Sequence, residues 1–255
     1  MISGIIRFPL IWSTIILYIA VSLTVRIFVF RKRARLRCYT KITSFFCRIG
    51  LAVLGVRLME KRQSDAYRQQ NFLIVSNHLS YIDILVYSSL KPMLFISSTD
   101  VQKMPFLGLM STLGGTVFVE RRKISGIKRD IEKISEILSD GFNICLFPEA
   151  TSGDGSDVLP FKTALLGTAG KAGKKILPAC IRYTHIGKEE ASPENRDKVC
   201  YYGDMNFFPH FLRLIFSGGA KAEPEFFSPI DSAGLDRREI GDRLYGLIRN
   251  AYIRK

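Results

Sequence analysis

Residues 77–83 read Asn77-His78-Leu79-Ser80-Tyr81-Ile82-Asp83 and follow an apolar run that predicts a buried strand. The residues after them can continue as a short helix. His78 therefore lies at a strand-to-helix turn, where side chains face a cleft rather than a core. If Ser80 is the helix N-cap, Asp83 lies in the first turn and can meet His78. Asp83 would then hold one ring nitrogen and fix the tautomer, so that the other nitrogen could take a proton from a hydroxyl.

The same residues allow a purely structural interpretation. Ser80-x-x-Asp83 also has the form of a capping box, in which Asp83 closes the helix end. His78 would then be an ordinary loop histidine. These residues alone leave both interpretations open, and the rest of the chain favours the first.

Asn77-His78, four residues and then Asp83 resemble the first motif of the glycerolipid acyltransferases, the 1-acylglycerol-3-phosphate O-acyltransferase family. Three further blocks resemble that family's later motifs and occur in its order: Gly-Thr-Val-Phe-Val-Glu-Arg at 115–121, Phe-Pro-Glu-Ala-Thr-Ser at 147–152 and Leu-Pro-Ala-Cys at 177–180. Together the blocks cover about residues 70–185. The resemblance implies a glycerolipid acyltransferase fold and transfer of an acyl group to a lysolipid hydroxyl.

The length and charge of the chain bound the possible answers, and the length is enough for one α/β domain plus an anchor. The chain has 255 residues and a formal charge of +14, which indicates an anionic partner, either an acidic membrane or nucleic acid. The five cysteines have no C-x-x-C spacing, which predicts reduced thiols with no zinc site and no disulfide framework. The loop at 153–157 lacks the terminal glutamate of a calcium loop, so we expect no metal there. No cofactor is expected.

The N-terminus predicts a membrane anchor. Residues 8–25 carry no charge and would form roughly 27 Å of helix, close to the ~30 Å hydrocarbon core. The basic residues at 26 and 31–37 predict a cytoplasmic flank, and therefore a catalytic domain on the cytoplasmic side, at the inner membrane in a bacterium. A signal peptide cleaved near Ala20-Val21-Ser22 is the alternative, but the dense basic flank favours a retained anchor.

A second helix is predicted at 37–56, with a wide apolar face that could lie in the membrane interface or pack on the first helix. The two helices could also form a monotopic hairpin in one leaflet, and the sequence does not decide between a span and a hairpin. We expect an anchor at 1–60, with a polar linker beginning at 60, and an acyltransferase domain at 61–255. Without residues 1–37 that domain should leave the membrane but still fold.

The predicted domain alternates strands and helices. Apolar runs predict strands at 72–76, 93–97, 116–119, 143–147, 176–183 and 199–202. Helical patterns occur at 82–90, 101–113, 125–138, 164–172 and 235–254. We expect a mixed, mainly parallel sheet flanked by helices. Pro178 suggests that its strand starts there or lies at an edge.

The resemblance also implies roles for particular residues. His78 is the general base and Asp83 orients it, with Asn77 and Thr151 contributing to the substrate site. Arg121 is the acceptor-binding arginine, since a planar guanidinium binds phosphate or carboxylate bidentately. Two further residues belong near the predicted cleft. Glu149 could accept hydrogen bonds from the acceptor, hold Arg121 or pair with a local amide, and Lys162 could reach the cleft.

Residues 101–115 mix methionine, phenylalanine and glycine. They predict either a packed helix joined to a turn or the apolar wall of an acyl-chain tunnel, since methionine and glycine suit a deformable wall. His185 and His210 have no partner at a recognisable spacing, and we expect both to be structural.

The predicted reaction is direct acyl transfer from acyl-CoA or acyl carrier protein. No serine or cysteine stands in a nucleophile elbow, so no covalent enzyme intermediate is needed. A lipid hydrolase would require Gly-x-Ser-x-Gly, which is absent. A non-enzymatic membrane module that binds lipid or nucleic acid would explain the charge and the anchor but not the four ordered blocks. We therefore expect membrane lipids, the acyl donor and a lysolipid as partners, and no nucleic acid.

The acceptor site departs from the family pattern. Members that use lysophosphatidic acid commonly carry Arg where this chain has Ser152, and Lys where it has Ser98. Ala150 also replaces the usual glycine. Because a phosphomonoester carries between one and two negative charges, a site without these two cations neutralises it less completely. The departure favours another lysolipid, either a lysophosphodiester or a lyso-aminolipid such as lyso-ornithine lipid, with lysophosphatidic acid as the family default.

Overall fold

The computed structural model describes residues 4–59, 70–120 and 124–254. Its helices are α1 (Gly4–Phe28), α2 (Lys32–Leu54), α3 (Ile82–Leu90), α4 (Thr99–Lys103), α5 (Pro105–Leu113), α6 (Ile124–Ser139), α7 (Thr168–Lys171), α8 (Phe207–Phe216) and α9 (Arg237–Ile253), with a 3₁₀ turn at Arg196–Lys198. Its strands are β1 (Val56–Leu58), β2 (Leu73–Ser76), β3 (Leu94–Ser98), β4 (Val117–Val119), β5 (Ile144–Leu146), β6 (Ile176–Ile186), β7 (Glu189–Glu190) and β8 (Ala220–Phe226).

The strands form one sheet in the order β1-β8-β6-β2-β5-β3-β4, with β7 paired to β6. The pairs β6–β8 and β6–β7 are antiparallel, and the other pairs are parallel. The prediction of a mixed, mainly parallel sheet flanked by helices is confirmed. Strand β2 lies at the centre, so the turn that follows it opens at the carboxyl edge of the sheet, where loops from several parallel strands meet.

Alternating side chains of β2 face two separate cores, as a period of two residues requires. Ile74 packs on one side with Leu54 of α2, Val86 of α3 and Leu214 of α8. Leu73 packs on the other side with residues of α6, α7 and α9. Helices therefore cover both faces, which explains why β2 is apolar at successive positions.

The N-terminal helices are part of this architecture. Helix α2 ends at Gly55, whose φ of 75° gives the left-handed C-terminal cap that glycine adopts without strain. The chain then enters β1, which pairs with β8 in the sheet. A strand before residue 60 therefore belongs to the same sheet as the strands after it. The division into an anchor at 1–60 and an acyltransferase domain at 61–255 stays a prediction. The linker predicted from residue 60 lies almost entirely outside the described residues.

Helix α1 is the one described helix that is long and apolar enough to cross a membrane. Its length and composition support membrane association. It extends the predicted segment 8–25 at both ends.

Several predicted elements differ from those observed. The strand predicted at 199–202 is wrong, since these residues form a loop in which Val199 and Cys200 are buried. The helix predicted at 101–113 is divided into α4 and α5 at Pro105, which begins α5. The helix predicted at 164–172 is reduced to α7. Helix α8 and strand β8 were not predicted.

Pro178 lies neither at a strand start nor at a sheet edge, because it is the third residue of β6, between β8 and β2. Its carbonyl accepts a hydrogen bond from Phe227 N at 3.0 Å. The proline nitrogen points to the same side, just outside the ladder with β8, which begins at Ala179. The missing N–H therefore costs no bond to β2.

Candidate active site

Asn77 fixes the turn that follows β2. Its side-chain Nδ2 donates to the carbonyl of Ile181 at 2.9 Å, and its Oδ1 accepts from Ile181 N at 2.8 Å. The amide is buried against β6. This geometry makes Asn77 a positioning residue and does not bring its amide to the cleft, so its predicted contact with substrate has no geometric support here.

His78 and Asp83 form the predicted pair. Nδ1 of His78 lies 2.8 Å from Oδ2 of Asp83, and the His78 side chain is 19% exposed whereas that of Asp83 is 0% exposed. A carboxylate can only accept, so Nδ1 carries the hydrogen and Nε2 presents its lone pair. Within residues 4–59, 70–120 and 124–254, Nε2 has no hydrogen-bond partner.

Asp83 is held by three further donors. Oδ2 also accepts from Leu79 N at 2.6 Å and Ser80 N at 2.9 Å, and Oδ1 accepts from the Tyr183 hydroxyl at 2.6 Å. These bonds stabilise the ionised carboxylate in a site without water access. Burial and the neighbouring Asp83 charge raise the pKa of Tyr183 well above its usual value, so its hydroxyl remains a donor.

The two interpretations of this stretch are both realised in part. Asp83 accepts from Ser80 N as in a capping box, and the same oxygen binds His78. However, Ser80 is not the N-cap: Tyr81 occupies that position, with no side-chain capping bond. The Ser80 hydroxyl is buried and has no partner among the described residues.

An aromatic stack sets the plane of the His78 ring. Phe147, the first residue after β5, lies parallel to it with centroids 4.1 Å apart and an interplanar angle of 11°. Phe95 of β3 also stacks with Phe147, with ring centroids 6.2 Å apart and an interplanar angle of 20°. The ring is therefore held on one face by Phe147 and at one edge by Asp83.

Glu149 connects the third block to the turn that follows β2, where His78 lies. Its Oε1 accepts from His78 N at 2.6 Å, and its Oε2 accepts from Leu159 N at 2.8 Å. Burial raises the pKa of Glu149 to about 8, and the two N–H donors act in the opposite direction. Of the interpretations given for Glu149, pairing with local amides matches these contacts. Acceptor binding by Glu149 stays a prediction.

The remaining predicted residues lie around the same loop. Thr151 and Lys162 are exposed, and Lys162 N donates to Pro148 O at 2.8 Å. Lys162 lines a pocket of about 120 Å³ together with Ala150 and Glu120. Arg121 lies outside the described residues, so its role stays a prediction. The part of the chain that the structure describes has no group of three His, Cys, Asp or Glu side chains that could hold a metal ion.

Comparison with known proteins shows which family the chain belongs to. The acyltransferase family model matches residues 57–182, which contain all four blocks. The lyso-ornithine lipid O-acyltransferase of Rhizobium meliloti (strain 1021) is 31% identical over 206 residues, covering 78% of this chain and 70% of the relative. The chain belongs to the acyltransferase family.

Other relatives carry two kinds of name. The lyso-ornithine lipid O-acyltransferase of Brucella abortus (strain 2308) is 31% identical over 82% of this chain and 80% of its own. The 1-acyl-sn-glycerol-3-phosphate acyltransferase of Neisseria gonorrhoeae is 32% identical over 78% and 76%. These names support action on a lysolipid as the function of this acyltransferase.

The fold has a counterpart among solved structures. The 1-acyl-sn-glycerophosphate (LPA) acyltransferase PlsC of Thermotoga maritima superposes with a TM-score of 0.67, at 18% identity, over 98% of this chain and 94% of that one. At that identity the likeness concerns the fold.

The two serines that replace family cations make local hydrogen bonds in this acyltransferase. Ser98 caps α4 by accepting from Val101 N at 3.3 Å. Ser152 donates to the carbonyl of Tyr201. Ser98 thus holds backbone beside the second block, and Ser152 holds backbone beside the third block. Neither hydroxyl supplies a positive charge.

An apolar cavity of about 190 Å³ lies beside the turn that follows β2 in the acyltransferase, with Tyr81 in its wall. Its wall combines the N-terminal helices with α3, α5 and α8, and includes Ile11, Gly50, Tyr81, Phe106, Met110 and Phe211. Phe106 and Met110 belong to the stretch 101–115, for which an acyl-chain wall was one of two interpretations.

Tyr183 is a contributor to the site that was missed at the sequence level, whereas His210 was expected to be structural. Tyr183 lies 100 residues from Asp83 and was treated only as part of a strand. His210 bonds to the Tyr81 hydroxyl at 2.9 Å and the Cys200 carbonyl at 3.0 Å, which fits the expected structural role. No local signal marks Tyr183, because its partner is brought to it by the pairing of β2 with β6.

Proposed function

We propose that this lysolipid acyltransferase moves an acyl group from a phosphopantetheine thioester, either acyl-CoA or acyl carrier protein, to the hydroxyl of a lyso-aminolipid of the lyso-ornithine type. His78 is the proposed general base. The observation that carries the proposal is the His78–Asp83 pair, in which Nδ1 is engaged while Nε2 has no partner among the described residues.

The proposed step needs no covalent enzyme intermediate. Nε2 of His78 takes the proton from the acceptor hydroxyl, and the oxygen attacks the thioester carbonyl. The C–O bond forms and the C–S bond breaks. The leaving thiolate takes the proton from the imidazolium and departs as a thiol. Asp83 stabilises the imidazolium in between.

The acceptor assignment rests on charge. Relatives named for lyso-ornithine lipid and for 1-acyl-sn-glycerol-3-phosphate match at similar identity, so the names alone do not separate the two. Ser98 and Ser152 stand where two cations of a phosphate site are common. The pocket near the third block combines Lys162 with the acidic Glu120 and Asp130. Groups of both signs suit a headgroup that carries both an ammonium and a carboxylate.

The donor assignment rests on charge and shape. A formal charge of +14 favours an acidic donor, and both acyl-CoA and acyl carrier protein are acidic. The apolar cavity beside Tyr81 suits the acyl chain.

A competition assay tests the acceptor and the donor together. The full chain would receive equimolar lyso-ornithine lipid, lysophosphatidic acid and lysophosphatidylethanolamine, with acyl-CoA or acyl carrier protein, and mass spectrometry would identify the products. We expect acylated aminolipid to dominate. Dominant acylation of lysophosphatidic acid would overturn the aminolipid assignment and indicate Lys162 as a replacement cation, which Lys162→Ala would then test.

A further inference from the structure

A basic pocket of about 650 Å³ lies where the end of α2, the start of β1, the turn after β6 and the start of β8 meet. It shares no lining residue with the apolar cavity or with the pocket that contains Lys162. Among the residues that the structure describes, none of those lining it is acidic. Its basic side chains come from α1, from three strands and from the turn after β6: Arg7, Arg57, His185, Lys188 and Lys221.

Arg7 of α1 is the most buried of these basic residues, at 2% exposure. Its guanidinium donates to the carbonyls of Ile215 and Gly218 at the end of α8, at 3.4 Å each. Nε has no hydrogen-bond partner in the part of the chain that the structure describes. The two carbonyl bonds complement the negative end of the α8 dipole but supply no anion. A buried charge is costly unless it is paired and fully hydrogen-bonded, so Arg7 has capacity for a further, anionic partner.

The backbone fixes the place of the Arg7 guanidinium at the pocket. A Cβ built on Gly55 would lie 2.4 Å from Nη2 of Arg7. The guanidinium therefore occupies the space that a side chain at position 55 would fill. Because helix α2 ends at this glycine, the end of the helix and the position of the charge are set together.

Three of the basic residues stand side by side across the sheet. Arg57 of β1 pairs with Lys221 of β8, and Lys221 pairs with His185 of β6. Paired residues project on the same face of a sheet, and like charges at such positions are destabilising. The first acidic residue of this row is Glu190 of β7, beyond His185. An anion bound between Arg57 and Lys221 would remove their repulsion.

We propose that this pocket binds the phosphate group of a phosphomonoester, with Arg7, Arg57, Lys188 and Lys221 as its cations. Arginine supplies a planar fork for phosphate oxygens, and lysine supplies a mobile point charge. A phosphomonoester carries between one and two negative charges, which suits several cations with no acid among them. The volume is that of a ligand pocket, so it also has room for the group to which the phosphate is attached. That group belongs either to a soluble compound or to a lipid beside α1.

A phosphate in the pocket would join α1 to the sheet. Arg7 belongs to α1, whereas Arg57 and Lys221 belong to β1 and β8. Ile11 lies one helical turn after Arg7 and lines the apolar cavity. Occupancy of the pocket would therefore stabilise the part of the cavity wall that α1 provides.

Phosphate binding by the full chain in detergent tests the pocket without turnover. We expect inorganic phosphate to raise the unfolding temperature above that in chloride at equal ionic strength, because a ligand of the folded state stabilises it. In equilibrium dialysis, Arg57→Gln/Lys221→Gln should weaken phosphate binding at least about 10-fold, since it removes charge-assisted hydrogen bonds. Without phosphate this variant should unfold at no lower temperature than the unaltered chain, because the repulsion is gone. Lys128→Gln/Arg129→Gln, the same charge change at exposed positions of α6, should bind phosphate normally.

A second set of probes distinguishes the two sources of phosphate. Thermal unfolding would be compared in glycerol 3-phosphate and in mixed micelles of phosphatidic acid, with micelles of diacylglycerol as the lipid control. A response to inorganic phosphate and glycerol 3-phosphate that Arg57→Gln/Lys221→Gln loses would support a soluble phosphomonoester. A response to phosphatidic acid alone, lost in the same variant, would support a lipid headgroup.

Two results would overturn the phosphate pocket. One is an equal response of the two double variants to the same probe, and the other is no response of the unaltered chain to any probe. Lys188→Gln, at an exposed turn residue, keeps the test decisive if Arg57→Gln/Lys221→Gln does not fold, because it too should weaken binding. Since neither unfolding nor dialysis depends on acyl transfer, failure here is distinguishable from failure of the proposed reaction.

Discussion

His78 and Asp83 carry the sharpest prediction at the scale of single residues. We expect His78→Ala to lower acyl transfer by about 10²–10⁴, the usual contribution of a general base. The backbone N–H of residue 78 still binds Glu149, so the fold should persist, which circular dichroism would check. Asp83→Asn should also be severe, because the tautomer is no longer fixed. Near-normal turnover of His78→Ala would mean that Asp83 serves only the helix start.

Tyr183 is predicted to act through Asp83. Tyr183→Phe removes a hydrogen bond to a buried carboxylate, and such a bond contributes about 1.5–3 kcal/mol. We expect a loss of stability of that size. We also expect a shift in the pH profile of kcat, because the Asp83 carboxylate that stabilises the imidazolium has lost one hydrogen-bond donor. Tyr202→Phe is the matched control, because Tyr202 bonds to the partly exposed Asp197. An unchanged pH profile in Tyr183→Phe would assign Tyr183 to the fold alone.

Ala150 adopts a backbone conformation that favours glycine. Its φ is 62°, in the left-handed region, which costs an L-residue about 1–2 kcal/mol. Glycine removes that strain. It also raises the conformational entropy of the unfolded chain, which lowers the free energy of unfolding by about 0.4–1 kcal/mol. Ala150→Gly should therefore stabilise the protein by about 0.5–1 kcal/mol in denaturant unfolding. Ala172→Gly, at φ −86°, should give no gain, and a destabilised Ala150→Gly would show that the loop carries no strain.

At the scale of elements, the sequence identified those whose pattern is local. The helix at 82–90 was predicted with its observed bounds, and the strand at 72–76 within one residue of them, because unbroken apolar runs and periodicity mark them. Strand β8 was missed because Lys221, Glu223 and Glu225 alternate with small residues and Pro224 interrupts them. Its place between β1 and β6 comes from pairing across the chain.

The residues of the site fall into the same two groups, those marked by a local pattern and those brought together only by packing. His78, Asp83 and Glu149 were recognisable because they fall within short motifs. Tyr183, Phe95 and the wall of the apolar cavity come from separate strands and helices, and only their packing brings them together. The 199–202 strand was wrong because burial of Val199 and Cys200 in a loop produces the same apolar run.

The cavity between helices allows a prediction about acyl-chain length. Gly50 of α2 lines it, and an added Cβ there would meet only Leu85 at 3.6 Å and Ile11 at 4.0 Å. Gly50→Leu should fill part of the cavity and shift products toward shorter chains when a mixture of donors is supplied. Gly246→Leu on α9, where an added Cβ has nothing within 4 Å, is the control. An unchanged chain-length distribution in Gly50→Leu would place the acyl chain elsewhere.

At the scale of the whole molecule, α1 is part of the folded core as well as long and apolar enough for a membrane. Ile11 packs in the same core cluster as Leu54 and Phe211, and Trp12 lies edge-on to Phe211 at 6.3 Å. The expectation that the catalytic domain folds unaided without residues 1–37 does not allow for these contacts. An N-terminal truncation would therefore weaken membrane binding and also remove core contacts. A single flotation assay does not separate these two effects.

We expect deletion of residues 1–31 to lower thermal stability in detergent as well as membrane binding. A fully buried isoleucine or similar side chain contributes about 1.5–3 kcal/mol, so losing Ile11 and its neighbours should cost at least about 3 kcal/mol. The matched control is Ile16→Ser/Leu17→Ser, which alters two exposed residues of α1 and should weaken flotation with liposomes while preserving the unfolding temperature. If the truncated protein unfolds at the temperature of the full chain, α1 serves anchorage alone and the core begins after it.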